Sequence, residues 1–288
     1  MKAWLSPEDI LGSPPRNLSK AAEIKAELKK TIIKLAPKIK IANGIIDPCS
    51  SGLSEKVIPP VEYIIPNKTK NVIITAQSPD YRSKQFTTDL LYVNTILPLQ
   101  IIKESYEKNV ENIIYCSTGS VYQNKTTGHK ESERIDIEKL TPYSASKFSA
   151  EMLIQQWEQY FKSITVLRPF FMYGSTQSKE MLFSKMVDSI KNNKEITLSN
   201  NLGLVFNPIH VNDAARFIFS LLNKTKKFHT FNVAGSEEVS LFTIVEKLGK
   251  ILNKKPNIKT VKKRHDVVLG LSLIHISEPT RLGMMSYA

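Results

Sequence analysis

Apolar positions along the chain fall into two patterns. Short runs such as Val72-Ile-Ile74, Ile113-Ile-Tyr115 and Ile164-Thr-Val-Leu167 are apolar on both faces, as strands of a covered parallel sheet must be. Longer segments repeat apolar residues every three or four positions, the spacing of one helix face. Strands are therefore predicted over 71–78, 112–117, 164–169, 196–198 and 230–235. Helices are predicted over 87–108, 143–161, 180–191 and 241–252, with a further helix ending near Leu222. This alternation, unbroken from Asn71, predicts an α/β fold with a doubly wound parallel sheet and a small C-terminal α/β part.

The first seventy residues follow a different plan. Ser6-Pro-Glu-Asp9 has the cap, proline and acids of a helix start, and Gly12-Ser-Pro-Pro15 breaks it. A second helix is predicted from Ser19 to Leu35, with Ile24, Leu28, Ile32 and Leu35 on one stripe and Pro37 ending it. A short strand over 39–46 and a turn at Asp47 to Gly52 follow.

Composition narrows the function classes. The 288 residues are 41% hydrophobic and 8% aromatic, ordinary for a globular protein with a sizeable core. No apolar run reaches membrane-spanning length and no basic, apolar leader opens the chain, so a cytoplasmic protein without membrane partners is expected. The net charge of +13 comes from dispersed lysines such as Lys29-Lys30, Lys226-Lys227 and Lys254-Lys255. That is a solvated surface; a nucleic-acid partner would call for basic residues clustered beside aromatics. Cys49 and Cys116 belong to no ligand cluster, and His210 is one histidine on an apolar strand, so no metal site is expected.

The chemistry concentrates between Asn112 and Lys147. A strand ends there in Cys116-Ser-Thr118, at the sheet edge where open α/β folds bind ligands. Pro142 suits the first turn of a helix, and Tyr143 and Lys147, four residues apart, share one face of it. An ammonium one turn from a phenol favours the phenolate and brings its pKa toward the working range. With a threonine hydroxyl on the same substrate oxygen, the set suits proton transfer at a carbinol or carbonyl, and the hydride partner is a nicotinamide cofactor.

The segment Cys116-Ser-Thr-Gly-Ser-Val-Tyr122 followed by Tyr143-x-x-x-Lys147 resembles the extended short-chain dehydrogenase/reductase family, the NAD-dependent epimerase/dehydratases. The resemblance runs from Asn71 to about Leu252 and implies a Rossmann-like fold and an NAD(P)-dependent oxidoreductase or epimerase. It implies Tyr143 as acid/base, Lys147 as the residue that tunes it and holds the nicotinamide ribose, and Thr118 as the substrate-orienting hydroxyl. It places Ala76, Pro169 and Phe170 at the cofactor (NAD or NADP), and Ser117, Phe171 and Arg264 with Thr118 at the substrate. Asn94 matches an asparagine with a supporting role, and an outward-facing polar residue is the equal alternative.

Sugar-nucleotide members often carry an asparagine and an arginine near the diphosphate, where this chain has Phe171 and Val205; a less charged substrate is expected. The family also opens with a strand and a Gly-x-x-Gly-x-x-Gly turn, which residues 1–70 do not contain. That segment is either a divergent half of the fold or a wrong gene start. The expected plan is an atypical segment over 1–70, a core with the catalytic residues over 71–174 and a substrate-binding part over 175–270. Residues 271–288 resemble the translation of a sequencing-library adapter. The stripe Phe148, Met152, Leu153 and Trp157 is read as core or dimer packing, the dimer using helices 87–108 and 143–161. A non-catalytic module that kept the sheet and lost its nucleotide site is the alternative reading.

Overall fold

A computed structural model describes residues 65–122, 128–175, 177–222 and 228–262. The expected N-terminal elements, Arg264 and the adapter-like tail lie outside the described residues. In chain order, β1 is Asn71–Ile74. Helix α1 starts as Thr88–Leu91, widens into a π-helical turn over Tyr92–Ile96 and continues as Leu97–Glu107. Next come β2 (Asn112–Cys116), α2 (Pro142–Gln155), β3 (Ser163–Pro169) and β4 (Met172–Tyr173). Then follow α3 (Leu182–Lys191), β5 (Ile196–Ser199), β6 (Val205–Phe206) and β7 (Ile209–His210). The last are α4 (Val211–Leu221), β8 (Phe228–Val233), β9 (Val239–Ser240), α5 (Leu241–Leu252) and β10 (Ile258–Val261).

Four parallel strands form the main sheet in the order β1-β2-β3-β8. Alternate side chains of each strand feed two cores. Val72, Ile74, Ile113, Tyr115, Ile164 and Val166 pack under α1 and α2, against Leu97, Ile101, Ala150 and Ile154. Ile73, Ile114, Leu167 and Val233 face the other way, against Ala214 and Leu221 of α4. Both faces are covered, which is why these runs carry no polar alternation. A third core, from Phe183, Met186, Ile190, Leu198, Phe206, Ile244 and Leu248, holds α3, α5 and their short strands together as the smaller part.

Several expectations change in detail. The stretch after Gly174 is not one unit, because β8 and α4 return to the main sheet. Helix α2 ends at Gln155 instead of continuing to Phe161, and Trp157, Tyr160 and Tyr106 stack edge to face where the chain turns down into β3. The buried face of α2 carries Ser144, Lys147, Ala150, Glu151 and Ile154, while Met152 and Leu153 are exposed. Helical periodicity found the apolar stripe of this helix, but the core side is the one with the charges.

Two buried cations lock α2 to the sheet. Arg168 of β3 donates to Glu151 through Nε at 3.1 Å and Nη2 at 2.6 Å, and through Nη1 to the Tyr122 hydroxyl at 2.7 Å. Tyr122 in turn donates to the Asn232 side chain on β8 at 2.9 Å. Lys147 donates from Nζ to the carbonyls of Ala76 at 2.6 Å and Cys116 at 2.9 Å, joining the ends of β1 and β2. Removal from water pulls the Lys147 ammonium down from 10.5 to about 8, although Cys116 and Glu151 push it back up.

That shift has a measurable consequence. Between pH 8 and 10.5 the unfolded chain holds the Lys147 proton and the folded chain sheds it, so this group makes stability rise with pH across that window. Relative to Lys147→Met, the wild type is expected to gain about 2 kcal/mol in urea unfolding between pH 8 and pH 10. A constant difference between the two proteins would show that Lys147 is not a desolvated ammonium.

Candidate active site

The C-terminal ends of β1, β2 and β3 and the first turn of α2 converge on one place. Thr118 follows β2 in extended backbone and caps a short 3-10 turn, Gly119–Val121, by accepting from Ser120 N–H at 3.2 Å. Thr141 caps α2 by accepting from Ser144 N–H at 3.2 Å, with Pro142 in the first turn. Local sequence sets both caps.

A chain of hydroxyls ties the two caps together. Ser144 Oγ donates to the Ser120 carbonyl at 2.9 Å, so its oxygen accepts from its other neighbours, Thr141 at 3.0 Å and Ser120 Oγ at 3.0 Å. The Ser120 hydroxyl then accepts from Thr118 Oγ1 at 2.9 Å. This order leaves a lone pair of Thr118 for a further donor. The Tyr143 phenol lies beside this hydroxyl, and the hydrogen bond between them pulls the phenol's pKa down.

Tyr143 is half-buried and its pKa lies above the ordinary 10.0. Burial is the largest cause, the Thr118 hydrogen bond pulls the other way, and Tyr81 adds to the rise. The expectation that Lys147 would draw the phenol down is therefore not met. Its ammonium points at the carbonyls of Ala76 and Cys116 and lies over the Tyr115 ring at 5.1 Å. With the ammonium turned toward carbonyls, burial of the phenol wins.

The other expected residues divide between the site and its frame. Ala76 lies beyond the end of β1 and contributes its carbonyl to Lys147. Ser117 is buried, with its N–H on the Leu167 carbonyl at 2.7 Å and its Oγ without a partner. Pro169 closes β3 opposite Val233, and Phe170 N–H donates to the Val233 carbonyl at 2.9 Å. The Phe170 ring covers Gly119, where an added Cβ would come within 2.8 Å of it. Phe171 points into the smaller core and meets Phe206 at 4.6 Å between ring centroids, so it is a packing residue.

Asn94 does not face solvent. It is fully buried at the π-helical turn, accepts from Ser78 N–H at 2.9 Å and donates to Ser146 Oγ at 3.0 Å. The wider turn leaves its carbonyl for the Tyr115 hydroxyl at 3.0 Å. Sequence reasoning missed Arg168, Glu151 and Tyr81. The first two left a trace, an arginine at the end of a buried strand and a glutamate one turn after Lys147. Tyr81 left none.

Comparison with known proteins places this geometry. The profile of the "NAD dependent epimerase/dehydratase family" matches residues 61–234. A GDP-6-deoxy-D-talose 4-dehydrogenase of Aggregatibacter actinomycetemcomitans is 31% identical over 200 residues, 66% of this chain and 64% of that protein. An uncharacterized UDP-glucose epimerase, YtcB, of Bacillus subtilis is 26% identical over 161 residues, 55% of this chain and 50% of its own length. The dTDP-D-glucose 4,6-dehydratase of Homo sapiens is 26% identical and matched over 48% of its length, so the chain spans about half of such relatives. Among solved structures, MoeE5 in complex with UDP-glucose and NAD superposes with a TM-score of 0.62 at 18% identity, covering 75% of this chain and 74% of that one. That likeness shows the fold, a Rossmann-type sheet. Because the family profile covers the sheet, the Thr118 loop and the Tyr143–Lys147 helix together, the chain belongs to the NAD-dependent epimerase/dehydratase family of extended short-chain dehydrogenases/reductases.

Proposed function

We propose that this chain is an NAD-dependent epimerase- or dehydratase-type oxidoreductase acting at a carbinol or carbonyl carbon of a nucleotide-linked sugar. The observation that carries the reading is the convergence of Thr118, Tyr143 and Lys147 at the ends of β1 and β2. A non-catalytic module has no use for a hydroxyl chain, a phenol and a buried ammonium gathered at one sheet edge, so that alternative is not favoured.

The residues at the sheet edge suit the nicotinamide half of NAD. Two of the three Lys147 protons engage carbonyls, and the third is available to a ribose hydroxyl. The unpartnered Ser117 hydroxyl lies next to Thr118. NAD, when bound, supplies the hydride acceptor. Tyr143 holds its proton at neutral pH, so it donates to a carbonyl oxygen and must lose that proton to act as base. Thr118 stands beside the phenol, and turning its hydroxyl proton from Ser120 to the substrate lets it fix the same oxygen. Phe170 roofs the Gly119 turn against water.

The relatives' names revise the expected substrate. UDP-glucose, GDP-6-deoxy-D-talose and dTDP-D-glucose are all nucleotide sugars, and they favour that class over a less charged one. Phe171 and Val205 do not serve the diphosphate, since one packs on Phe206 and the other pairs with Ser240. Other residues must do so. The apolar residues Leu91, Ile96, Tyr106, Met152, Leu153 and Tyr160 are exposed on α1, α2 and the turn after α2, and they support a homodimer through these helices. No helix among the described residues is long and apolar enough to cross a membrane, and a cytoplasmic setting, checked by cell fractionation, accords with the free thiol of Cys116.

Three measurements test this reading. Tyr143→Phe is expected to lose turnover by at least about a hundredfold while keeping NAD affinity, because only the proton-transfer group goes. Wild-type turnover in that variant would remove Tyr143 from the mechanism. Calorimetric titration with UDP-, GDP- and dTDP-sugars should give saturable binding for at least one. Failure of all three would return the substrate to the less charged class. Sedimentation equilibrium should report two chains, and Met152→Glu together with Leu153→Glu should give one; a monomeric wild type would refute the dimer.

A further inference from the structure

The loop between β1 and α1 has a pinned base and a reaching tip. At the base, Ser78 N–H is held by Asn94 at 2.9 Å, Asp80 N–H by Ser78 Oγ at 3.1 Å, and Asp80 Oδ2 accepts from Thr87 at 2.7 Å. At the tip, the Tyr81 ring stands edge-on to Tyr143, 6.2 Å between centroids and 69° between planes. The Tyr81 hydroxyl meets Met181 Sδ at 4.0 Å. Arg82 donates to the Glu180 carbonyl at 2.9 Å, and its guanidinium lies over the Tyr81 ring at 5.1 Å.

Glu180 and Met181 are the residues that lead into α3. Met181 precedes the first helical residue, its carbonyl accepts from Lys185 N–H at 2.9 Å, and Glu180 pairs with the Lys185 ammonium at 2.9 Å. Helix α3 is anchored in the smaller core by Phe183, Met186 and Ile190. The loop tip thus touches the phenol of the main sheet's helix on one side and the smaller part on the other.

We infer that Tyr81 is a positioning residue for Tyr143, fixing the orientation of the phenol and tying it to the seating of α3. The inference rests on Tyr143 as the proton-transfer group. Tyr143 lies in the first turn of α2, and Thr118 holds only its hydroxyl end. A ring held at one end still swings about its side-chain torsions. The edge contact of Tyr81 gives the second constraint, in the geometry that aromatic pairs prefer. Proton transfer is sensitive to displacements below 1 Å, so a loosened ring lowers the rate before it lowers substrate binding.

The test uses the full chain with Tyr81→Leu, Tyr81→Phe and Tyr143→Phe. Tyr81→Leu is expected to lower kcat by about tenfold with KM within about twofold, and Tyr81→Phe to keep most of the wild-type rate because it keeps the ring edge. Combined with Tyr143→Phe, Tyr81→Leu should lower the rate no further. Tyrosine labelled with carbon-13 at Cζ gives a readout without turnover. The Tyr143 signal, identified by its loss in Tyr143→Phe, should titrate above the ordinary tyrosine range in the wild type and closer to it in Tyr81→Leu, as water reaches the ring. An unchanged kcat, a loss confined to KM, or an unchanged Tyr143 titration in Tyr81→Leu would overturn the inference. Turnover surviving in Tyr143→Phe would instead overturn the assignment of Tyr143, and the titration would still report whether Tyr81 holds its ring.

Discussion

A buried ammonium is stable in a protein interior only where carbonyls or carboxylates replace the water it has lost. Lys147 meets that demand with the carbonyls of Ala76 and Cys116, and the demand shapes everything around it. Both carbonyls must be free to accept, so the ammonium meets the chain just past the end of β1 and at the last residue of β2. Helix α2 must lie close enough for a lysine stem to reach both ends at once. Once α2 is fixed there, Tyr143, one turn earlier, comes beside Thr118 without any further device. The grouping of Thr118, Tyr143 and Lys147 thus follows from one structural obligation.

Two polar networks keep that arrangement from drifting. The hydroxyl chain Thr118–Ser120–Ser144–Thr141 joins the loop after β2 to the cap of α2. On the far side, Arg168 binds Glu151 of α2 and reaches through Tyr122 to Asn232 of β8. Replacing one member of such a buried pair leaves the other charge uncompensated, which costs more than the pair itself contributes. The outcome is an α2 held at its start by hydroxyls, in its middle by Lys147 and one turn later by an ion pair.

This frame also explains why Tyr143 carries its proton. The carbonyls engage the ammonium that the sequence suggested would ionise the phenol, and the phenol sits where burial outweighs the Thr118 hydrogen bond. In this arrangement the protonated phenol is the favoured form. On one side stands the Tyr81 ring, edge-on, with Met181 beyond it, and these connect the phenol to the smaller part of the molecule.

By itself, the sequence determined the strand and helix alternation from Asn71 onward, the order of these segments along the chain, and the shared helix face of Tyr143 and Lys147. Those signals are local: apolar runs, caps such as Thr141-Pro142, and a four-residue spacing on one helix face. It also marked Met152 and Leu153 as a stripe, because periodicity reports a face without saying whether that face meets core or solvent. Only the tertiary structure decided which side of α2 is buried, that β8 and α4 return to the main sheet, and that Asn94 is buried. Only it could aim Lys147 at two carbonyls, or bring Tyr81 from a loop without periodic pattern against Tyr143, 62 residues later (143 minus 81). Direction and burial of a polar side chain depend on partners distant in sequence, and the energy that selects them exists only once the strands have paired.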